Sequence, residues 1–291
     1  MNPETPGLRE LPSPFPRESG MLRLMESAET REEELYERIA GGTYDKPYIL
    51  EDGALRYLCF GLDNIQSAMR VSDPYALDLP YTREMMAFLL FNDQPRRIAL
   101  IGLGGGSIAK YCYRYLPAAR IVAVESDPHV IALRDEFVIP RDDSRFSVIQ
   151  SDGALYLSGL QRRLDVVLVD VFDRDGIPPS LANTLFYENA RRCLVPRGML
   201  VMNLAGGETA CFSHLGWIRE VFGEAVIVVP SDDSGNYVVF ASKDKYFQPQ
   251  WKWLLFQARR LEEQLGLEFS TYVRQLKQCY DVAVGGAGAA S

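Results

Sequence analysis

The sequence is poor in histidine, in paired cysteines and in positive charge. His129 and His214 are its two histidines, too few for a histidine-held zinc or iron, and a histidine-based triad would need one of them beside a nucleophile. The five cysteines, Cys59, Cys112, Cys193, Cys211 and Cys279, are odd in number and far apart, with no C-x-x-C pair. They read as reduced thiols, and no metal site is expected. Acidic residues outnumber basic ones by 39 to 31, for a net charge of −8, which argues against the basic surface that neutralises nucleic-acid phosphates. The same charge suits a cationic substrate or simple solubility. No apolar run reaches the roughly 18 residues of a membrane span, and "MNPETPGLRELPSPFPRESG" has no basic start followed by an apolar core. A cytoplasmic protein bound to neither nucleic acid nor membrane is expected.

At 291 residues and 47% hydrophobic, the chain can bury a substantial core. Residues 1–45 read as a loose Pro-rich arm followed by one helix, "ESAETREEELYERIA". Residues 46–75 hold short β-prone runs around the turn signal Glu51-Asp52-Gly53 and read as a small β-rich domain. Over 76–245 the runs "RIALIGL", "ARIVAVES", "FSVIQSD", "LDVVLVDV" and "GMLVMNLA" alternate with amphipathic stretches. That alternation predicts an α/β domain, a parallel sheet with helices on both faces, closed by the antiparallel pair "AVIVVPS" and "NYVVFASK". Residues 246–291 read as a helical extension with a disordered "GGAGAAS" tail.

"IGLGGGS", 101–107, joins the first of these strands to a helix. Gly102, Gly104, Gly105 and Gly106 there let backbone approach a ligand without a Cβ in the way. Glu125 ends the next strand, where a carboxylate can accept both hydroxyls of a ribose; the combination points to an adenosine-containing ligand. Asp152-Gly153 ends the third strand, and two readings of Asp152 stand: acceptor for an adenine amino group, or N-cap of the helix that follows. Asp170 ends the fourth, with Asp173 in the same segment "VDVFDRDGIPP". Glu125, Asp152 and Asp170 would thus line one rim of the sheet, the usual crevice of such folds, while the alternative for Asp170 and Asp173 is to cap a turn. His129 reads as a surface residue, Tyr75 and Tyr81 as core aromatics or walls of an amine site, and Asp232 and Asp233 as acceptor-side charge or a solvated hairpin.

"NIQSAM", "IGLGGGS", "VESDPHVI", "SDGALYL" and "DVVLVDVFD", in that order, resemble the spermidine synthase family, the polyamine aminopropyltransferases. The resemblance implies a Rossmann-like, S-adenosylmethionine-dependent transferase fold with a small N-terminal β-rich domain. It implies transfer of an aminopropyl group from decarboxylated S-adenosylmethionine to a small amine, releasing methylthioadenosine. It assigns Glu125 to the ribose, Asp152 to the adenine amino group, Gln66 to the donor, and Asp170 to catalysis with Asp173 as its partner. Tyr81-Thr82-Arg83-Glu84 approximates a Tyr-x-Glu segment that shapes the amine pocket, which puts Tyr81 and Asp173 on the acceptor. A homodimer or homotetramer built through the N-terminal domain is implied as well. The chain departs from the pattern at Gly105, where the family carries an acid that grips the donor's amine, and at "VPSDDSGNYVVF", which replaces a Pro-Thr-Tyr-Pro segment. Gly105 is the residue that favours the alternative of a methyltransferase using S-adenosylmethionine on the same fold. A non-catalytic nucleoside-binding homologue is a third reading, and a nicotinamide-dependent oxidoreductase ranks last for want of a hydride-relay partner.

Overall fold

Turn chemistry and apolar patterning divide the chain between two sheets. The computed structural model describes residues 7–14, 20–61, 64–161, 163–172, 176–205, 208–231 and 235–288. The first sheet is antiparallel throughout, β1 (Arg9–Pro12), β2 (Met21–Leu24), β3 (Tyr48–Glu51), β4 (Leu55–Gly61) and β5 (Asn64–Arg70), in that spatial order. Asp52 sets the β3–β4 turn, its Oδ1 accepting the backbone N–H groups of Ala54 and Leu55, with Gly53 at φ +88°. Helix α1 (Glu32–Ala40) lays Leu35 and Ile39 on Leu22, Leu24 and Leu50 to make a small core.

The second sheet has seven strands in the order β11-β12-β10-β9-β6-β7-β8. Its elements run α2 (Pro80–Met85), a 3-10 turn (Met86–Leu90), β6 (Arg97–Ile101), α3 (Ser107–Tyr115), β7 (Arg120–Glu125), α4 (Pro128–Ala132), β8 (Phe146–Gln150), α5 (Gly153–Ser158) and β9 (Leu164–Val169). Then follow α6 (Thr184–Cys193), β10 (Leu194–Leu204), α7 (Glu208–Phe222), β11 (Val226–Pro230), β12 (Tyr237–Ser242), α8 (Trp251–Leu265) and α9 (Phe269–Gly288). Strands β6 to β10 pair in parallel, while β12 runs antiparallel to β10 and to β11. Helices bury both faces, which is why "VVLV" of β9 is apolar without alternation and none of Val166, Val167, Leu168 and Val169 exceeds 1% exposure. The strand order reverses between β6 and β9, so the crevice of this Rossmann-like fold opens beyond their carboxyl ends.

Three local features differ from the sequence expectations. The N-terminal sheet starts within the segment read as an arm: β1 and β2 are four-residue strands flanked by proline and glycine, too short to show alternation. The stretch "PHVIALRDEF" makes only the five-residue α4 and then a run of turns, in which Val138 takes φ +54°. Helix α9 extends to Gly288, into the tail read as disordered; that stretch has no proline to stop a helix.

Candidate active site at the strand reversal

Beyond the ends of β6 and β9 lies a cleft of about 230 Å³. Its floor is the glycine turn. Gly102 follows β6 with φ +92°, and a Cβ there would stand 2.0 Å from the carbonyl oxygen of Asp170. The Asp170 N–H in turn donates to the Ile101 carbonyl at 2.9 Å, and the Gly102 N–H to that of Val124 at 2.8 Å. The turn is thus stitched between the two neighbouring strands, and only glycine lets Asp170 come so near. Gly104 lines the cleft with no atom nearer than 3.9 Å to its Cβ position.

Gly105 and Gly106 do not line the cleft but are packed against neighbouring side chains. At Gly105 a Cβ would meet Ser67 Oγ at 2.8 Å and Phe137 Cδ1 at 3.0 Å; at Gly106 it would meet Ile139 Cγ1 at 2.5 Å. The place of a side chain at 105 is therefore filled from β5 by Ser67, whose hydroxyl lies 3.5 Å from that of Ser107. Gln66, next to it on β5, lines the cleft with Phe60.

Glu125 ends β7 at the edge of the cleft. Its Oε2 accepts the N–H of Leu103 and its Oε1 the N–H of Asp127, both at 3.0 Å. Two backbone donors fix the carboxylate in one orientation and leave it further lone pairs for a diol. Asp127 lines the cleft as well and caps α4, its Oδ1 accepting from the His129 N–H at 2.8 Å. Asp152 caps α5 through the Leu155 N–H at 2.9 Å and takes a hydrogen bond from Ser180 Oγ at 2.7 Å. Neither Asp152 nor Gly153 lines the cleft; Pro178, two residues before Ser180, does.

Asp170 also lines the cleft, partly buried. Tyr81 of α2 donates its hydroxyl to Oδ2 at 3.2 Å, and Asn203 of β10 donates its Nδ2 to Oδ1 at 3.0 Å. Burial pushes the carboxyl up to about 6, against the pull of these two donors. Burial and the neighbouring carboxylate together hold the Tyr81 hydroxyl well above its usual range, so it stays a donor. Among the described lining residues three are acids, Glu125, Asp127 and Asp170, and none is lysine, arginine or histidine. Asp173, Asp232 and Asp233 lie outside the described residues. Asn203 and Ser67 were not reached from sequence; the signal for Asn203 was a lone polar residue in the otherwise apolar "GMLVMNLA".

The description "Spermine/spermidine synthase domain" fits residues 78–221. A polyamine aminopropyltransferase of Chromobacterium violaceum is 40% identical over 238 residues, covering 81% of this chain and 91% of that one. An eEF1A lysine and N-terminal methyltransferase homolog of Drosophila melanogaster is 27% identical over 172 residues, 55% of this chain and 25% of its own length. Among solved structures, a probable spermidine synthase from Corynebacterium glutamicum superposes with a TM-score of 0.62 at 22% identity, covering 78% of this chain and 89% of that one.

Proposed function

Since the chain belongs to the spermine/spermidine synthase family, we propose that it is a polyamine aminopropyltransferase, moving an aminopropyl group from decarboxylated S-adenosylmethionine to a small amine and releasing methylthioadenosine. One observation carries the choice of donor: three carboxylates and no described cation line the cleft. The decarboxylated donor bears a sulfonium and an ammonium, both of which such a lining stabilises. S-adenosylmethionine itself adds a carboxylate, for which the described lining offers no cationic partner.

In this reading Glu125, oriented by the Leu103 and Asp127 N–H groups, accepts the ribose hydroxyls. Gly102 and Gly104 let the turn backbone approach the donor, and Gln66 reaches it from β5. Asp152, outside the cleft lining and already engaged with Leu155 and Ser180, retains lone pairs for the adenine amino group. Tyr81 and Asp173 belong to the acceptor side. The donor supplies a carbon activated by sulfonium. Asp170, Tyr81 and the acidic lining hold the amine in line with it, and fixing two reactants in that way removes several kcal/mol of barrier. With its carboxyl near 6, Asp170 is ionised at neutral pH yet basic enough to take the amine's proton as the new bond forms.

Incubation with decarboxylated S-adenosylmethionine and a panel of diamines should release methylthioadenosine, and no release with any diamine sinks the proposal. Gly105, filled over by Ser67, is what favours a methyltransferase instead. Calorimetry decides between them: tighter binding of S-adenosylmethionine than of its decarboxylated form would favour methyl transfer. We further infer a cytoplasmic enzyme that self-associates through the N-terminal sheet. No described helix is long and apolar enough to cross a membrane, and light scattering of the purified chain would test the dimer or tetramer.

A further inference from the structure

Asn203 is 1% exposed, and its Oδ1 is buried without a hydrogen-bond partner. Its Nδ2 donates to Asp170 Oδ1, so the one partner of this carboxamide among the described residues is the Asp170 carboxylate. A buried amide ordinarily has both ends engaged, which fixes which way it faces. Among the described residues only the NH2 end is held, and by Asp170 alone. Oxygen and NH2 of a carboxamide have almost the same shape, so a half-turn about Cβ–Cγ exchanges donor for acceptor without repacking the strand.

We propose that Asn203 is a two-state positioning residue for Asp170: its NH2 holds the ionised carboxylate, and, turned over, its carbonyl oxygen accepts the O–H of the protonated acid. The inference rests on the aminopropyl-transfer reading. In that reaction the amine nitrogen gives its lone pair to the donor carbon. The C–S bond breaks with its electron pair leaving on sulfur, as a neutral thioether. The new ammonium then passes one proton to Asp170. At that moment the carboxylate's charge is gone, and an oxygen carrying hydrogen faces an N–H donor. Turning the amide replaces that mismatch with a hydrogen bond from the acid, and the proton later leaves to water while the amide turns back.

The other groups around Asp170 fit this cycle. The Tyr81 hydroxyl on α2 donates to Oδ2, and a hydroxyl also can accept. Glu125 at the end of β7 and Asp127 ahead of α4 are the other described acids that line the cleft. Burial favours the protonated form of Asp170. A lysine or arginine at 203 would hold only the ionised form; a carboxamide serves both.

Valine and threonine share one shape and differ by a hydroxyl that both donates and accepts. In Asn203→Val, ionised Asp170 loses a donor, so the acidic limb of kcat/KM should move up by about one pH unit and kcat should fall about tenfold. Asn203→Thr should keep the wild-type limb and recover most of kcat. An unshifted limb in Asn203→Val overturns the proposal, and so does an equal shift in both variants. Should Asn203→Val fail to fold, the wild-type protein still gives an answer by NMR. The side-chain amide resonances of Asn203, identified by their absence from Asn203→Thr, should titrate with the midpoint of the activity limb and stop titrating in Asp170→Asn. Resonances that ignore pH overturn it. The titration needs no turnover, so absence of transfer counts against the enzymatic reading, whereas transfer without titration counts against the amide.

Discussion

At the scale of single residues, the burial that makes Asp170 costly to the fold is what the proposed reaction would use. Its carboxyl, pushed up to about 6 by burial, is neutral in the folded state at pH values where the unfolded chain is already ionised. Folded protein therefore binds more protons between roughly pH 4 and 6, and the stability of the neutral acid is lost as pH rises through that window. Asp170→Asn removes the buried charge while retaining an oxygen to accept hydrogen bonds. Above pH 7 the variant should be more stable by on the order of 3 kcal/mol, seen as a higher urea midpoint. Its transfer rate should fall by about a thousandfold with affinity for methylthioadenosine, which lacks the donor's two cations, retained. An equal fall in methylthioadenosine affinity would make Asp170 a nucleoside-binding residue rather than a base.

At the scale of elements, the glycine turn and β9 cannot be altered independently. Gly102 combines φ +92° with the Asp170 carbonyl 2.0 Å from its Cβ position, whereas Gly104, at φ +50°, has Ser67 at 3.9 Å as its nearest neighbour on the same measure. Gly102→Ala should cost upward of about 3 kcal/mol and Gly104→Ala about 1 kcal/mol, the latter from backbone conformation alone. Chemical denaturation of the two variants compares them directly, and equal losses would mean that the close approach to Asp170 is unimportant. These two elements also mark what sequence could reveal. The glycine turn, Glu125 and Asp170 were legible because each occupies a strand end that local patterning announces. Ser67 and Asn203 were not, since their importance arises only when β5 meets Gly105 and β10 meets Asp170. For Asp152 the cap was one of two readings, and the structure shows that cap together with a hydrogen bond from Ser180, 28 residues away. The strands β1 and β2 escaped because four residues, beside proline in β1 and glycine in β2, carry no period.

At the scale of the whole molecule, the two sheets are joined by cations that serve the segment beneath the glycine turn. Arg56 of β4 donates to the Glu136 carbonyl, and Arg23 of β2 pairs with the Glu136 carboxylate at 3.0 Å. Lys110 of α3, fully buried, donates Nζ to the Phe137 carbonyl at 2.8 Å. Burial, and then the nearby Arg56 charge, lower Lys110 to about 7. The unfolded chain therefore holds more protons than the folded one from about pH 7 to pH 10, and stability should rise with pH across that range. Lys110→Met keeps the volume and discards the charge, so the rise should flatten in urea titrations at pH 7 and 9. A slope unchanged by the substitution would place its origin elsewhere.

The route of the chain through the cleft has a consequence in time. Asp170 and the residue that holds it, Asn203, are 33 positions apart. At roughly 5–20 residues per second of synthesis, that separation amounts to roughly 2–7 s. For those seconds a growing chain carries Asp170, the glycine turn and Glu125 without β10 beside β9. A polypeptide cut short anywhere in that interval would have all three described acids that line the cleft and nothing to hold the Asp170 carboxylate from the β10 side.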